Sequence, residues 1–185
     1  MCQISSQVLC SMQILLLYDR AMPLRPVIDS DLESMFRWRN QEANRAVMFT
    51  TEKFSWSEHL EWWDRVAQDA SRRILIYSHN DESCGVVNFF NIAFTEKSGH
   101  WGFYLDHEGL KNNGNLLSAW INLEMESVSY AQHQLGLVTL LCETLQSNKQ
   151  VIVMHKRFKF LESQTYLIDI NGYSKTVVEM KLNLN

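Results

Sequence analysis

The chain has 185 residues, 46% of them hydrophobic and 21% charged, and carries a formal net charge of −4. That length suits one domain with a sizeable buried core. Lysine and arginine are scattered, with no run longer than two, which argues against the basic patch a nucleic-acid partner needs.

Residues 1 to 22 read as an N-terminal extension or a first strand, with Met22 a candidate start. The apolar segment from Val8 to Leu17 has no Lys or Arg before it and no small-residue cleavage site after it, so a signal peptide is not expected. It is also too short to span a bilayer. Cys2, Cys10, Cys84 and Cys142 form no CxxC pair, which implies a reducing, cytoplasmic setting. The six histidines form neither HExxH nor HxH, so no metal is expected.

From residue 23 to 185 the pattern reads as one domain. Pro23 and Pro26 bracket an extended stretch, and Ser30 to Glu33 has the spacing of a capping box before a helix faced by Leu32, Met35 and Phe36. A second box, Ser55 to Glu58, opens a helix whose Leu60, Trp63, Val66 and Ala67 recur at helical spacing, with Trp62 widening the stripe. The period then changes to that of strands. Arg73 to Ser78 and Gly85 to Ile92 form a hairpin about Asn80 to Ser83, and His100 to Leu105 follows as a third strand. A loop from Asp106 to Asn113 leads into a long helix carrying Leu116, Leu117, Trp120, Ile121 and Leu123, which ends near Gly136. Leu137 to Leu145 is a buried strand, and Asn148 to Phe158 a further helix. Two strands, about Glu162 to Ile170 and Thr176 to Leu182, are joined by the hairpin dipeptide Asn171-Gly172. The order predicts an α/β (α+β) architecture, a mixed sheet flanked by helices.

Two loop-to-helix junctions carry chemistry. Gly109 to Asn115 follows a strand and opens a helix, where backbone N–H groups and the helix dipole suit an anion. In the second, Ser147 to Gln150, a strand ends and Asn148 caps a helix that carries His155. A strand, a glycine-bearing loop and helix, a strand, then an Asn-capped helix resembles the core of the GNAT superfamily of N-acetyltransferases. Ser147 to Phe160 is similar to that family's SNxxAxxLYxxxGF segment, with Val151 at the Ala position, Met154 at Leu, His155 at Tyr and Lys159 at the last Gly. Within the superfamily the chain most resembles the pseudaminic-acid pathway UDP-amino-sugar acetyltransferases. Arg39-Asn40, Met48, His59-Leu60, Gly85-Val86, Gly102-Phe103-Tyr104 and Leu110-Lys111-Asn112 carry that likeness.

The resemblance implies a GNAT fold with a central sheet of about six to seven strands. It implies acetyl-CoA as co-substrate and, as acceptor, the 4-amino group of a UDP-linked aminodideoxy sugar. Coenzyme contacts are expected from Phe103, Tyr104 and Leu105 on a strand, from Lys111, Asn112, Asn113, Gly114 and Asn115 at the first junction, and from Asn148 and Lys156 at the second. His155 is the expected general acid toward the departing thiolate, since an imidazolium near pKa ~6.5 donates readily. Asn88 is expected to hydrogen-bond the substrate amine or a water. Arg37, Arg39, Asn40, Met48 and Phe49 are expected to form the acceptor wall, with His59 and Trp101 as further contacts. Transfer to a ribosomal-protein N-terminus or a polyamine stands as an alternative, as does a non-catalytic acyl-CoA-binding module. A homodimer is compatible with the sequence, which fixes no oligomeric state.

Overall fold

The computed structural model describes residues 23–184, so the expectations for residues 1 to 22 lie outside it. These residues form a seven-stranded mixed sheet in the order β1-β2-β3-β4-β5-β7-β6. The strands are β1 (Leu24–Pro26), β2 (Arg73–His79), β3 (Glu82–Ala93), β4 (Ser98–Leu105), β5 (Thr139–Leu145), β6 (Leu161–Ile170) and β7 (Tyr173–Asn183). The helices are α1 (Leu32–Arg39), α2 (Glu42–Arg45), α3 (Trp56–Val66), α4 (His107–Asn112), α5 (Leu116–His133) and α6 (Lys149–Arg157). Every neighbouring pair is antiparallel except β4 with β5.

Each face of the sheet has its own apolar core. On one, Leu32, Met35 and Trp38 of α1 pack on Ile76 and Val86, with Leu60, Trp62 and Trp63 of α3 closing over them. On the other, Ala119, Leu123 and Ala131 of α5 and Ile152 of α6 pack on Phe89, Trp101, Leu140, Cys142, Val178 and Met180. The alternation of strand side chains makes two cores from one sheet. Cys84 and Cys142 are free and buried, and burial pushes the Cys84 thiol up to about 12.

Local chemistry accounts for most element ends. Ser55 Oγ accepts the Glu58 N–H at 3.3 Å and Glu58 Oε2 accepts the Ser55 N–H at 2.7 Å, the reciprocal bonds expected there. The other predicted box is not formed. Asp31 takes its place, accepting the Ile28 N–H at 2.8 Å and pairing with Arg25 of β1. The segment expected as a loop from Asp106 to Asn113 contains α4 instead, because Asp106 accepts the Gly109 N–H at 3.1 Å and starts a turn. Gly109 is needed there, since a Cβ would sit 2.3 Å from Asp106 Oδ2. The hairpin at Asn171-Gly172 has positive φ at both residues (55° and 80°), as the tightest hairpin turns require.

Candidate active site

The two parallel strands at the centre of the sheet part company early. β4 and β5 are in register only from Ser98 opposite Thr139 to His100 opposite Leu141. Beyond that, β4 continues on β3 and β5 on β7, and a gap opens between them. The Asp106 N–H bonds the Cys84 carbonyl, which fixes the alternation along β3 and β4. Tyr104 faces Val86 in a hydrogen-bonded pair, so the N–H groups of Phe103 and Leu105 point into the gap. Those two amides are the strand's donors, whereas the Tyr104 amide is turned toward β3.

A cavity of about 240 Å³ fills the gap, walled by Phe103, Leu105, Trp120, Cys142, Thr144, Asn148, Val151 and His155 among others. The turn after α4 leads to its wall at Leu116. Asn113, Gly114 and Asn115 spend their N–H groups on the carbonyls of Gly109, Lys111 and Leu110, while Gly114 takes φ +71°. The free donors therefore lie further along than the sequence suggested. Leu116, Leu117 and Ser118 form the first turn of α5, whose amides have no intrahelical partner, and no side chain caps that end. Positive helix-dipole potential and uncapped amides together suit a phosphate.

His155 is set by α6. The Asn148 side chain caps that helix by accepting the Val151 N–H at 3.4 Å. At its other end, Phe160 and Lys159 donate to the carbonyls of His155 and Lys156, with Lys159 at φ +69°. This is a Schellman ending with lysine in the left-handed position, as the departure from glycine implied. The His155 ring is 3% exposed and packs among Trp101, Phe103 and Phe160. Its Nδ1 lies 3.0 Å from Glu124 Oε1, and Glu124 is wholly buried on α5. Trp120 Nε1 donates to the same carboxylate at 3.3 Å. With Nδ1 turned to Glu124, Nε2 is the ring nitrogen left for the cavity. Glu124 would balance the charge of an imidazolium bearing a second proton there.

A second cavity, about 310 Å³, lies on the α1–α3 side and includes Arg39, Met48, Phe49, Thr50, Asn88, Gly102, Tyr104 and Glu143. Met48, Phe49, Trp101, Gly102, Phe103, Tyr104 and Glu143 line both cavities. Glu143 of β5 is thus within reach of both, and the Tyr166 hydroxyl holds it by donating to Oε1 at 2.7 Å. Burial and that carboxylate push the Tyr166 hydroxyl up to about 12. His100 and Glu179 lie beside Glu143, with one ligand-type atom from each within 4.8 Å of the others.

Arg39 enters this cavity from α1. Its Nη2 donates to the Thr50 carbonyl at 2.8 Å and its guanidinium lies 4.9 Å from the Phe54 ring centre. Its Nη1 is buried with no hydrogen-bond partner, and Arg39 has no carboxylate partner among the described residues. Burial lowers its pKa from the usual guanidinium value. Asn40 ties the same loop from behind, donating to the Phe54 carbonyl and accepting its N–H.

Several expected residues lie elsewhere. Arg37 is exposed and donates to Ser34. His59 is buried, stacked between Trp56 and Trp62, and lines neither cavity; burial lowers its pKa. Trp101 borders both cavities, but its ring is committed to the core against Phe89 and Phe103, so it is not free to stack on a base. Lys156 pairs with Glu162 on the surface at 2.7 Å. Lys111 belongs to α4 and its side chain is exposed. Asn88 does line the second cavity, and its oxygen accepts from Arg72 at 3.0 Å in the amide orientation that also satisfies its nitrogen. Sequence reasoning missed Glu143 and Glu124. A signal existed for the first: it is the sole charged residue from Leu137 to Leu145.

Comparison with known proteins agrees with this geometry. Residues 22–160 match the family described as acetyltransferase (GNAT) domain. Over 130 residues the chain is 27% identical to acetyltransferase PseH of Campylobacter jejuni subsp. jejuni serotype O:23/36, covering 70% of this chain and 76% of that one. The PseH of serotype O:2 is 25% identical over the same length. Among solved structures, spermidine N-acetyltransferase from Vibrio cholerae in complex with CoA and spermine superposes with a TM-score of 0.73 at 18% identity, covering 87% of this chain and 94% of that one. At that identity the likeness concerns the fold. No helix of the described residues is long and apolar enough to cross a membrane.

Proposed function

The chain belongs to the GNAT acetyltransferase family, and on that premise we propose that it acetylates the ring-borne amine of a nucleotide-linked sugar, a UDP-linked aminodideoxy sugar of the pseudaminic-acid type. Acetyl-CoA, the acyl donor of the fold, would lie in the gap between β4 and β5 with its pyrophosphate on the first turn of α5. The Phe103 and Leu105 amides point into that gap, and in this reading they donate to the thioester oxygen as it gathers charge in the transition state.

In this reading the acceptor nitrogen attacks the thioester carbon, and the carbon–sulfur bond breaks as the tetrahedral intermediate collapses. Glu143, bordering both cavities, takes the proton that the amine must lose, directly or through a water held with Asn88. His155 returns a proton to the thiolate from Nε2, with Nδ1 held by Glu124. Met48 and Phe49 supply the apolar wall. Residues 23 to 185 act as one domain in the cytoplasm, on an amine rather than a nucleic acid or membrane.

The observation that carries the acceptor assignment is Arg39. A half-buried guanidinium that lines the acceptor cavity, with its Nη1 left unpartnered and no carboxylate paired to it among the described residues, fits a diphosphate. A polyamine would bring like charge against it. The PseH relatives support the same class by their name. The test follows CoA thiol release with a UDP-linked 4-amino sugar, spermidine and a peptide N-terminus as acceptors. Turnover on the amino sugar at least ~100-fold above the others is expected, a gap of roughly 3 kcal/mol. Preference for spermidine or the peptide would overturn it.

A further inference from the structure

Three glycines lie within the described strands, Gly85 on β3 and Gly99 and Gly102 on β4. Glycine inside a strand costs roughly 0.5–1 kcal/mol relative to alanine, so each invites a reason. Two have one in close packing. A Cβ on Gly85 would lie 2.8 Å from Leu105 Cδ2, and one on Gly99 would lie 3.2 Å from Leu137 Cδ1. A Cβ on Gly102 would meet nothing within 4 Å, and its φ is not in the region that favours glycine. Neither crowding nor backbone conformation requires glycine there.

What lies beside Gly102 is space. It stands opposite Asn88 in the β3–β4 register, on the same face as His100 and Tyr104, and borders both cavities. Glu143 faces it across the gap between β4 and β5, where no strand pairing remains.

We infer that Gly102 is the aperture joining the acceptor cavity to the coenzyme cavity, and that its missing side chain selects an amine borne on a ring carbon. This deepens the amino-sugar reading and rests on it. A chain-terminal amine carries a single CH₂ behind the nitrogen and can pass beside a methyl group. An amine on a ring carbon brings two ring neighbours with it, and their width needs the volume a Cβ would occupy. Gly102 is thus a specificity-determining position for the width of the acceptor.

The experiment compares wild type, Gly102→Ala and Gly102→Val by calorimetric binding of three probes. These are CoA itself, a conjugate joining the CoA sulfur through –CH₂CO– to the 4-amine of the UDP-sugar, and the same conjugate on spermidine. Thermal melts confirm folding. The expected result is CoA affinity within about twofold throughout, with the sugar conjugate weakened ~10-fold in Gly102→Ala and ~100-fold in Gly102→Val. The spermidine conjugate should lose less than about threefold in Gly102→Ala. A sugar conjugate that binds all three proteins equally overturns the aperture, as does a loss shared equally by CoA or by the spermidine conjugate. A wild type that binds the sugar conjugate no tighter than CoA instead overturns the amino-sugar reading itself, and the ring selectivity falls with it.

Discussion

The two halves of the cleft are built by different means. The side proposed for the coenzyme is made of regular elements: a strand edge left bare by the parting of β4 from β5, the uncapped start of α5, and α6 fixed at both ends by hydrogen-bonded caps. Its polar contacts come largely from backbone amides. The acceptor side is made of the irregular stretch from Ala46 to Ser55, which Arg39, Arg45 and Asn40 hold through side-chain bonds to the backbone of Thr50, Thr51 and Phe54. Amides of regular structure are shared by every side chain that could occupy those positions, so this half tolerates substitution. The other half depends on named side chains, and single changes there should redirect the enzyme.

That contrast can be broken or sharpened by mutation. Glu143→Gln should lower kcat by ~10²–10³-fold while leaving CoA affinity intact, the loss typical of a general base. A kcat within fivefold of wild type would leave the proton to another group. His155→Phe should cost stability as well as turnover, because it strips the wholly buried Glu124 of its hydrogen-bond partner at Nδ1. About 3 kcal/mol is expected in urea unfolding. Adding Glu124→Met should recover most of that stability but none of the activity; if activity returned as well, the histidine would be structural only. Arg39→Ala should raise the acceptor KM ~10–100-fold with kcat little changed, the worth of a charge-assisted hydrogen bond. Arg39→Lys should restore a part of it, and an unaltered KM would free the cavity of any anionic requirement. The smallest effect belongs to the scaffold. Lys159→Gly removes a non-glycine residue from φ +69° and should stabilise by about 1 kcal/mol, seen as a rise of roughly 2–4 °C in thermal midpoint.

The same division runs through what could be read in the sequence. The coenzyme half was legible because its signals are local: Asn148 before α6, the glycine at residue 114 and the alternation in β3 to β5. Where a cap is decided by a distant partner, local reading failed. Ser30 looked like a cap, but Arg25 on β1 draws in Asp31 instead. The helix α4 was hidden because Gly109 weakens its pattern, though the folded Asp106 carboxylate requires that glycine. In the site, His155 was found from its motif, whereas its partner Glu124 comes from a helix 31 residues away in the chain. His59 and Arg37 share helices with acceptor-side residues but face away from the cavity, and only packing decides which way a helix turns. Glu143 shows the opposite case: its strand was identified, yet a lone carboxylate in an apolar strand was not taken as a site.

The strand order carries a consequence for synthesis of the protein. β7 follows β6 in the chain but lies between β5 and β6 in the sheet. A nascent chain that has emerged only as far as Ile170 holds both substrate cavities' main walls, yet β6 has no strand to dock on and Tyr166 cannot be carried to Glu143. β7 is thus a keystone rather than a trim, and until it is inserted the carboxylate proposed to accept the proton stands without the hydroxyl that orients it.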